Sequence, residues 1–115
     1  MDITLLPRFK ARGHRGSWFA TVNGESLPCL HKYWLHWPVY DDPGIRAGER
    51  QSDQLVAALH SLGRAVLTED EPKLKDGKVI GFKRTGYVAI FKVSDIELGQ
   101  SALRLRFGDR LANLV

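Results

Sequence analysis

Residues 23 and 24 are Asn and Gly, and they stand between "SWFATV" and "ESLPCLHKYW". Asn-Gly is favoured in a two-residue type I′ turn because both central residues need positive φ. No other short stretch constrains the fold as tightly, since a two-residue turn fixes the register of both strands it joins. Val22 then faces Glu25, Ala20 faces Leu27 and Trp18 faces Cys29. One face carries Trp18, Ala20, Val22, Leu27 and Cys29; the other carries Ser17, Phe19, Thr21, Ser26 and Leu30. The first is the face expected to enter a core. Pro28 has no amide donor, which places it at an edge or a bulge.

Elsewhere turn residues recur, and the runs between them alternate more often than they follow a helical period. The exception is "SDQLVAALHSLG", which predicts a helix. Ser52 is its expected N-cap, Asp53 suits the positive end of the dipole, and Gly63 stops it. Leu55, Leu59 and Leu62, with Val56 and Ala58, form its apolar stripe, and His60 falls off that stripe. "RAVLT" (64–68) reads as a short strand and "EDEPKLKDGK" as a charged surface loop. "VIGFKRTGYVAIFKVSDIEL" reads as a strand, a bend near Thr85-Gly86 and a strong strand from Tyr87 to Val93. "ALRLRF" alternates Leu103, Leu105 and Phe107 with Arg104 and Arg106. The fold class expected is α+β: a small curled, mostly antiparallel sheet or pseudo-barrel of five to seven strands with one α-helix. A chain of 115 residues is expected to form a single domain.

An apolar share of 43% against 26% charged residues is enough to build a core and argues against disorder. No apolar run approaches the roughly 20 residues that span a bilayer, so no membrane role is expected. "MDITLLPRFK" lacks the layout of a signal peptide, and the single cysteine, Cys29, suits a reducing compartment. A cytoplasmic location follows as the expectation. The net charge of +4 leans toward polyanionic partners, and its distribution sharpens that. Arg8, Lys10, Arg12, Arg15 and Lys32 face only Glu25 between residues 8 and 32. The acids gather at Asp41-Asp42 and at Glu69, Asp70 and Glu71.

"LPCLHKYWLHWPVY" (27–40) gathers two Trp, two Tyr, two His and the one Cys. His31 and His36 share a face in neither a strand nor a helix, and no paired C-x-x-C or H-E-x-x-H occurs, so no metal or cofactor is expected. Cys29, mid-strand, reads as a core thiol rather than a nucleophile. In Glu71-Pro72-Lys73 the proline argues against a strand that could present both side chains to a metal. Asp41-Asp42-Pro43-Gly44 reads as a turn. No catalytic residue is assigned.

Stacking and basic contacts remain. In "PRFKARGHR" an extended segment puts Arg8, Lys10, Arg12 and His14 on one side, ~6.8 Å apart, near the phosphate spacing of an extended strand. Lys32, Tyr33 and Trp34 follow across the hairpin, then Trp37. Lys83 and Arg84 add charge from another strand. Arg8, Lys10, Arg12, Arg15, Lys32, Lys83 and Arg84 are therefore the expected phosphate contacts, and Tyr33, Trp34 and Trp37 the expected stacking residues, for RNA or single-stranded DNA. Two alternatives stand beside this. One is a small hydrolase or nuclease with His14 and His31 as an acid–base pair near Tyr33. The other is a module that offers an edge strand to a protein partner.

"GYVAIFKVSDIEL" resembles the central strand and exit of a PUA or ASCH-type β-barrel, where an apolar strand runs into a polar V-x-D-I turn. The resemblance covers about a third of the chain. It implies a pseudo-barrel with a basic cleft that binds RNA or reads a modified base or nucleotide. It carries over no catalytic residue, and fold likeness does not fix function.

Overall fold

The structure is a computed structural model and describes residues 2–13 and 17–115. Its strands are β1 (Arg8–Phe9), β2 (Ala11–Gly13), β3 (Phe19–Val22), β4 (Glu25–His31), β5 (Leu35–His36), β6 (Val39–Asp42), β7 (Arg64–Lys75), β8 (Lys78–Leu98) and β9 (Leu103–Leu114). One helix, α1 (Arg50–Leu62), joins β6 to β7, and short 3-10 turns occupy Ile3–Leu5 and Lys32–Trp34. The strands form one mixed sheet in the order β2-β3-β4-β7-β8-β9-β6-β5, with β1 beside β9. Two pairings, β4–β7 and β1–β9, are parallel, and the rest are antiparallel. Among the described residues nine strands replace the five to seven expected, and their sheet is not closed into a barrel. No helix among the described residues is long and apolar enough to cross a membrane.

The β3–β4 hairpin has the register that its turn dictates, with Val22 opposite Glu25 and Ala20 opposite Leu27. Asn23 and Gly24 both take positive φ, 52° and 77°. Cys29 N donates to Trp18 O (2.9 Å), so the alternate residue, Pro28, turns its nitrogen away from β3. The β4–β7 ladder begins only at Cys29, so the missing donor interrupts no ladder bond.

The sheet buries side chains on both faces. Against one lie Ala20, Val22, Leu27 and Cys29 with Val66, Ile90 and Ala112. Against the other lie Leu30, Leu67, Ala89 and Phe91, covered by Leu55, Val56 and Leu59 of α1. Trp18 departs from the expected face: it precedes β3 and packs, half-buried, on the helix side. The N-cap of α1 is Glu49 rather than Ser52, which sits inside the first turn and accepts a hydrogen bond from Arg46 N. The helix ends at Gly63 in the left-handed conformation, as expected.

The largest correction concerns residues 69–78, expected as a surface loop. β7 runs unbroken to Lys75, turns through Asp76 and Gly77 (φ 52° and 76°), and returns as β8. Asp-Gly is the same kind of type I′ turn as Asn-Gly. Pro72 is tolerated because beyond Thr68 β7 pairs only with β8, leaving one side unbonded. β8 is bulged rather than broken. Thr68 faces Tyr87, Glu69 faces Gly86 and Asp70 faces Arg84, which leaves Val88 and Thr85 as extra residues.

Candidate functional site

The Thr85 bulge decides what the site contains. Arg84 and Tyr87, three apart, would point to opposite faces of a regular strand. With Thr85 skipped they lie opposite Asp70 and Thr68, which share a face of β7. Arg84 then lies against the Tyr87 ring, 5.5 Å from its centroid. β4 adds His31, in parallel register with Thr68, and the Lys32–Trp34 turn adds Trp34. Phe82, two residues before Arg84, stacks on His31 with ring centroids 4.4 Å apart. Tyr33 and Trp34 both meet the Phe82 ring edge-on. His31, Trp34, Asp70, Phe82, Arg84 and Tyr87 border a cleft of about 1500 Å³.

At its floor lies Asp70, whose carboxylate is 1% exposed. One oxygen, Oδ2, is 2.6 Å from His31 Nδ1 and accepts from the Thr68 hydroxyl. The other, Oδ1, is 3.6 Å from Arg84 Nε. Burial alone would raise this carboxyl. The hydrogen bonds from His31 and Thr68, then the charges of His31 and Arg84, outweigh it and hold Asp70 below the ordinary value. The imidazole is thus fixed through Nδ1 by a buried carboxylate. Arg84 Nε and Trp34 Nε1 are also buried, and neither has a hydrogen-bond acceptor among the described residues.

A second buried carboxylate closes the cleft from behind. The Tyr40 hydroxyl accepts from His31 N (2.9 Å) and donates to Asp42 Oδ2 (2.8 Å), while Gly44 N donates to Asp42 Oδ1. Burial pushes Asp42 up, although the bonds from Gly44 and Tyr40 oppose it. Burial also raises Tyr40 well above the phenol range. Asp41 and Asp42 end β6 and only Pro43-Gly44 forms the turn; no group of three or more ligand-type side chains able to hold a metal occurs among the described residues. Cys29 is a buried thiol, raised by burial to about 11.

Gly13, at the end of β2, permits a close approach. A Cβ there would collide with the Tyr87 hydroxyl and lie 3.1 Å from Arg84 Nη1. The described part of the N-terminal row, through Arg12, therefore reaches the cleft at Gly13.

Of the expected contact residues, the fold brings Tyr33 and Trp34 against Phe82, with Arg84 on the same face of β8; Lys83 faces Glu71 on the other face, and Lys32 sits on the 3-10 turn 4.0 Å from Glu69. Arg8, Lys10 and Arg12 are exposed, and Phe9 and Ala11 pack inward, as the alternation required. Arg8 lies beside β9, however, and only Arg12 adjoins the cleft through Gly13. Trp37 is 60% exposed and packs on Phe91 and Phe107, away from the cleft. Arg15 and His14 lie outside the described residues. Thr68, Asp70, Phe82 and Tyr87 are the members that sequence reasoning missed. Asp76-Gly77 could have announced the β7–β8 ribbon that carries them, because that turn sets Lys75 opposite Lys78; the bulge at Ile80 then moves the partner of Pro72 from Gly81 to Phe82.

Comparison with protein-family models, curated proteins and solved structures finds no significant match for this chain.

Proposed function

We propose that the cleft binds a nucleotide or a single strand of nucleic acid, a base lying against Tyr33, Trp34 and Phe82 and a phosphate against Lys83 and Arg84. The observation that carries this reading is the placement of Trp34 and Arg84 in one cleft beside the Phe82 ring. Both side chains line the cleft, one an aromatic ring and the other a cation. Together they match a ligand with a planar face and an anionic end. Tyr87, from the stretch that resembles a PUA or ASCH barrel, lines the same cleft, in keeping with RNA or a modified base as ligand.

The test is an anisotropy and Trp-fluorescence titration with a labelled mixed-sequence single strand at low and moderate salt. Saturable binding with quenched emission is expected. Trp34→Ala should weaken it about tenfold at unchanged salt slope, Lys83→Ala should lower the slope by about one, and Trp37→Ala should change neither. Absence of saturable binding at low salt sinks the reading.

The His31–Asp70 pair favours a second reading, hydrolysis of a nucleotide or similar anion with His31 as the acid–base group. The buried Asp70 carboxylate on Nδ1 fixes the ring for work at Nε2. Turnover with a bell-shaped pH profile, abolished by His31→Ala, would establish it. Binding without turnover would remove it.

A further inference from the structure

Gly13 answers a need for space and not for an unusual backbone. The turn and cap glycines Gly24, Gly63 and Gly77 take positive φ, and a Cβ on any of them would meet open room. Gly13 is the reverse. It lies in β2 outside the left-handed region, so its backbone does not call for glycine. A Cβ there would nonetheless collide with the Tyr87 hydroxyl, while Tyr87 Cζ would lie 3.4 Å away and Arg84 Nη1 3.1 Å away. The contact joins elements remote in the sheet, since three strands separate β2 from β8 in the order β2-β3-β4-β7-β8. It forms because β1 pairs with β9 and β2 with β3, which carries the chain from Arg8 to Gly13 across one face. Ala11, on the same side of β2 as Gly13, is buried in the cluster against which Tyr87 packs. Three neighbours thus enclose Arg84. Asp70 Oδ1 is 3.6 Å from its Nε, the Tyr87 ring centroid is 5.5 Å from its guanidinium carbon, and Gly13 lies beside Nη1.

We propose that Gly13 is a positioning residue for the cleft. The room left by its missing side chain seats the Tyr87 hydroxyl, and the Tyr87 ring in turn holds the Arg84 guanidinium in place. A methyl group at position 13 would push the phenol end aside. The cost to the fold is small, because the atoms that must give way are side-chain tips and β2 is a three-residue edge strand. The cost to the site is larger, because Arg84 loses the ring it lies against. The proposal rests on the reading of Arg84 as a phosphate contact and adds the element that sets the place of that arginine.

A double-mutant cycle on the full chain tests it: wild type, Gly13→Ala, Tyr87→Phe and the double variant. The NMR signal of the Arg84 Nε–H, assigned by its loss in Arg84→Lys, reports the guanidinium in the free protein through the ring current of residue 87. Titration with the labelled mixed-sequence single strand reports affinity and salt slope. Gly13→Ala should shift the Arg84 signal, weaken binding about tenfold and lower the slope by about one. In the Tyr87→Phe background the colliding oxygen is gone and the ring remains, so the same substitution should change little. Urea midpoints should show that Gly13→Ala leaves stability nearly intact in both backgrounds. A Gly13→Ala protein with the wild-type Arg84 signal and salt slope overturns the proposal. Equal effects of Gly13→Ala in both backgrounds overturn it as well, because Gly13 would then serve the backbone of β2 alone. An Arg84 signal that moves and recovers as expected, with no strand bound by any of the four proteins, upholds the positioning and overturns the nucleic-acid reading of the cleft.

Discussion

Two aromatic clusters, each with an arginine at its side, sit in opposite surroundings. His31, Tyr33, Trp34 and Phe82 form one, on the same ribbon face as Arg84. Trp37, Tyr40, Phe91 and Phe107 form the other, with Arg110 5.7 Å from the Phe91 ring centroid. In the second, Phe91 and Phe107 are buried in the helix-side core and Trp37 caps them. In the first, His31, Trp34 and Phe82 wall a cleft whose floor is a buried carboxylate. Density of aromatic residues therefore does not mark a site. What separates the clusters is the buried polar chemistry beneath one of them, and substitutions that divide stability from binding should expose the difference.

The largest stability effect should come from Phe91→Ala, about 3–5 kcal/mol, because this ring is 7% exposed and its removal leaves a cavity between sheet and helix. Phe82→Ala, on the half-exposed ring, should cost about 1 kcal/mol in urea unfolding and yet weaken ligand binding about tenfold. If both variants lost stability equally and Phe82→Ala left binding intact, the two clusters would be equivalent and the cleft would lose its claim.

The same contrast explains what could be read from the chain. The β3–β4 register, the helix and its end at Gly63, the inward Phe9 and Ala11 and the buried Cys29 all follow from local rules, each set by residues a few positions apart. The cleft does not. It depends on Asp70 meeting His31 and Arg84 across 39 and 14 positions, and on a bulge at Thr85 that turns Arg84 and Tyr87 onto one face. "EDE" looks like solvated charge, and Pro72 looks like an interruption. Only the Asp76-Gly77 turn announces the ribbon. Trp37 misleads for the converse reason, since Trp34 and Trp37 look alike until the Lys32–Trp34 turn and β5 separate them.

Asp70→Ala should come next, at about 3 kcal/mol. It leaves the His31 ring and the Arg84 guanidinium without the carboxylate that serves both. Asp70→Asn keeps the shape and should recover part of that loss. Recovery near zero would mean that charge, not hydrogen bonding, holds the cleft floor. Chemical denaturation of the three proteins at neutral pH decides it.

The smallest effect should be the most specific, because the two buried carboxylates pull in opposite directions with pH. Asp70 is held below the ordinary carboxyl value of 3.8, so its contribution is complete above 3.8 and drains away as pH falls through its lower folded value. Asp42 is raised above 3.8, so its contribution is complete below 3.8 and disappears as pH rises through its folded value. Urea midpoints measured between about pH 2 and 7 should therefore separate the two. Asp70→Asn should flatten the loss below 3.8, and Asp42→Asn should remove a gain on acidification just above it. If the Asp70→Asn curve kept the wild-type slope below 3.8, the carboxylate at the cleft floor would not be ionised against His31 and Arg84. The chemical distinction between the two aromatic clusters would then rest on shape alone.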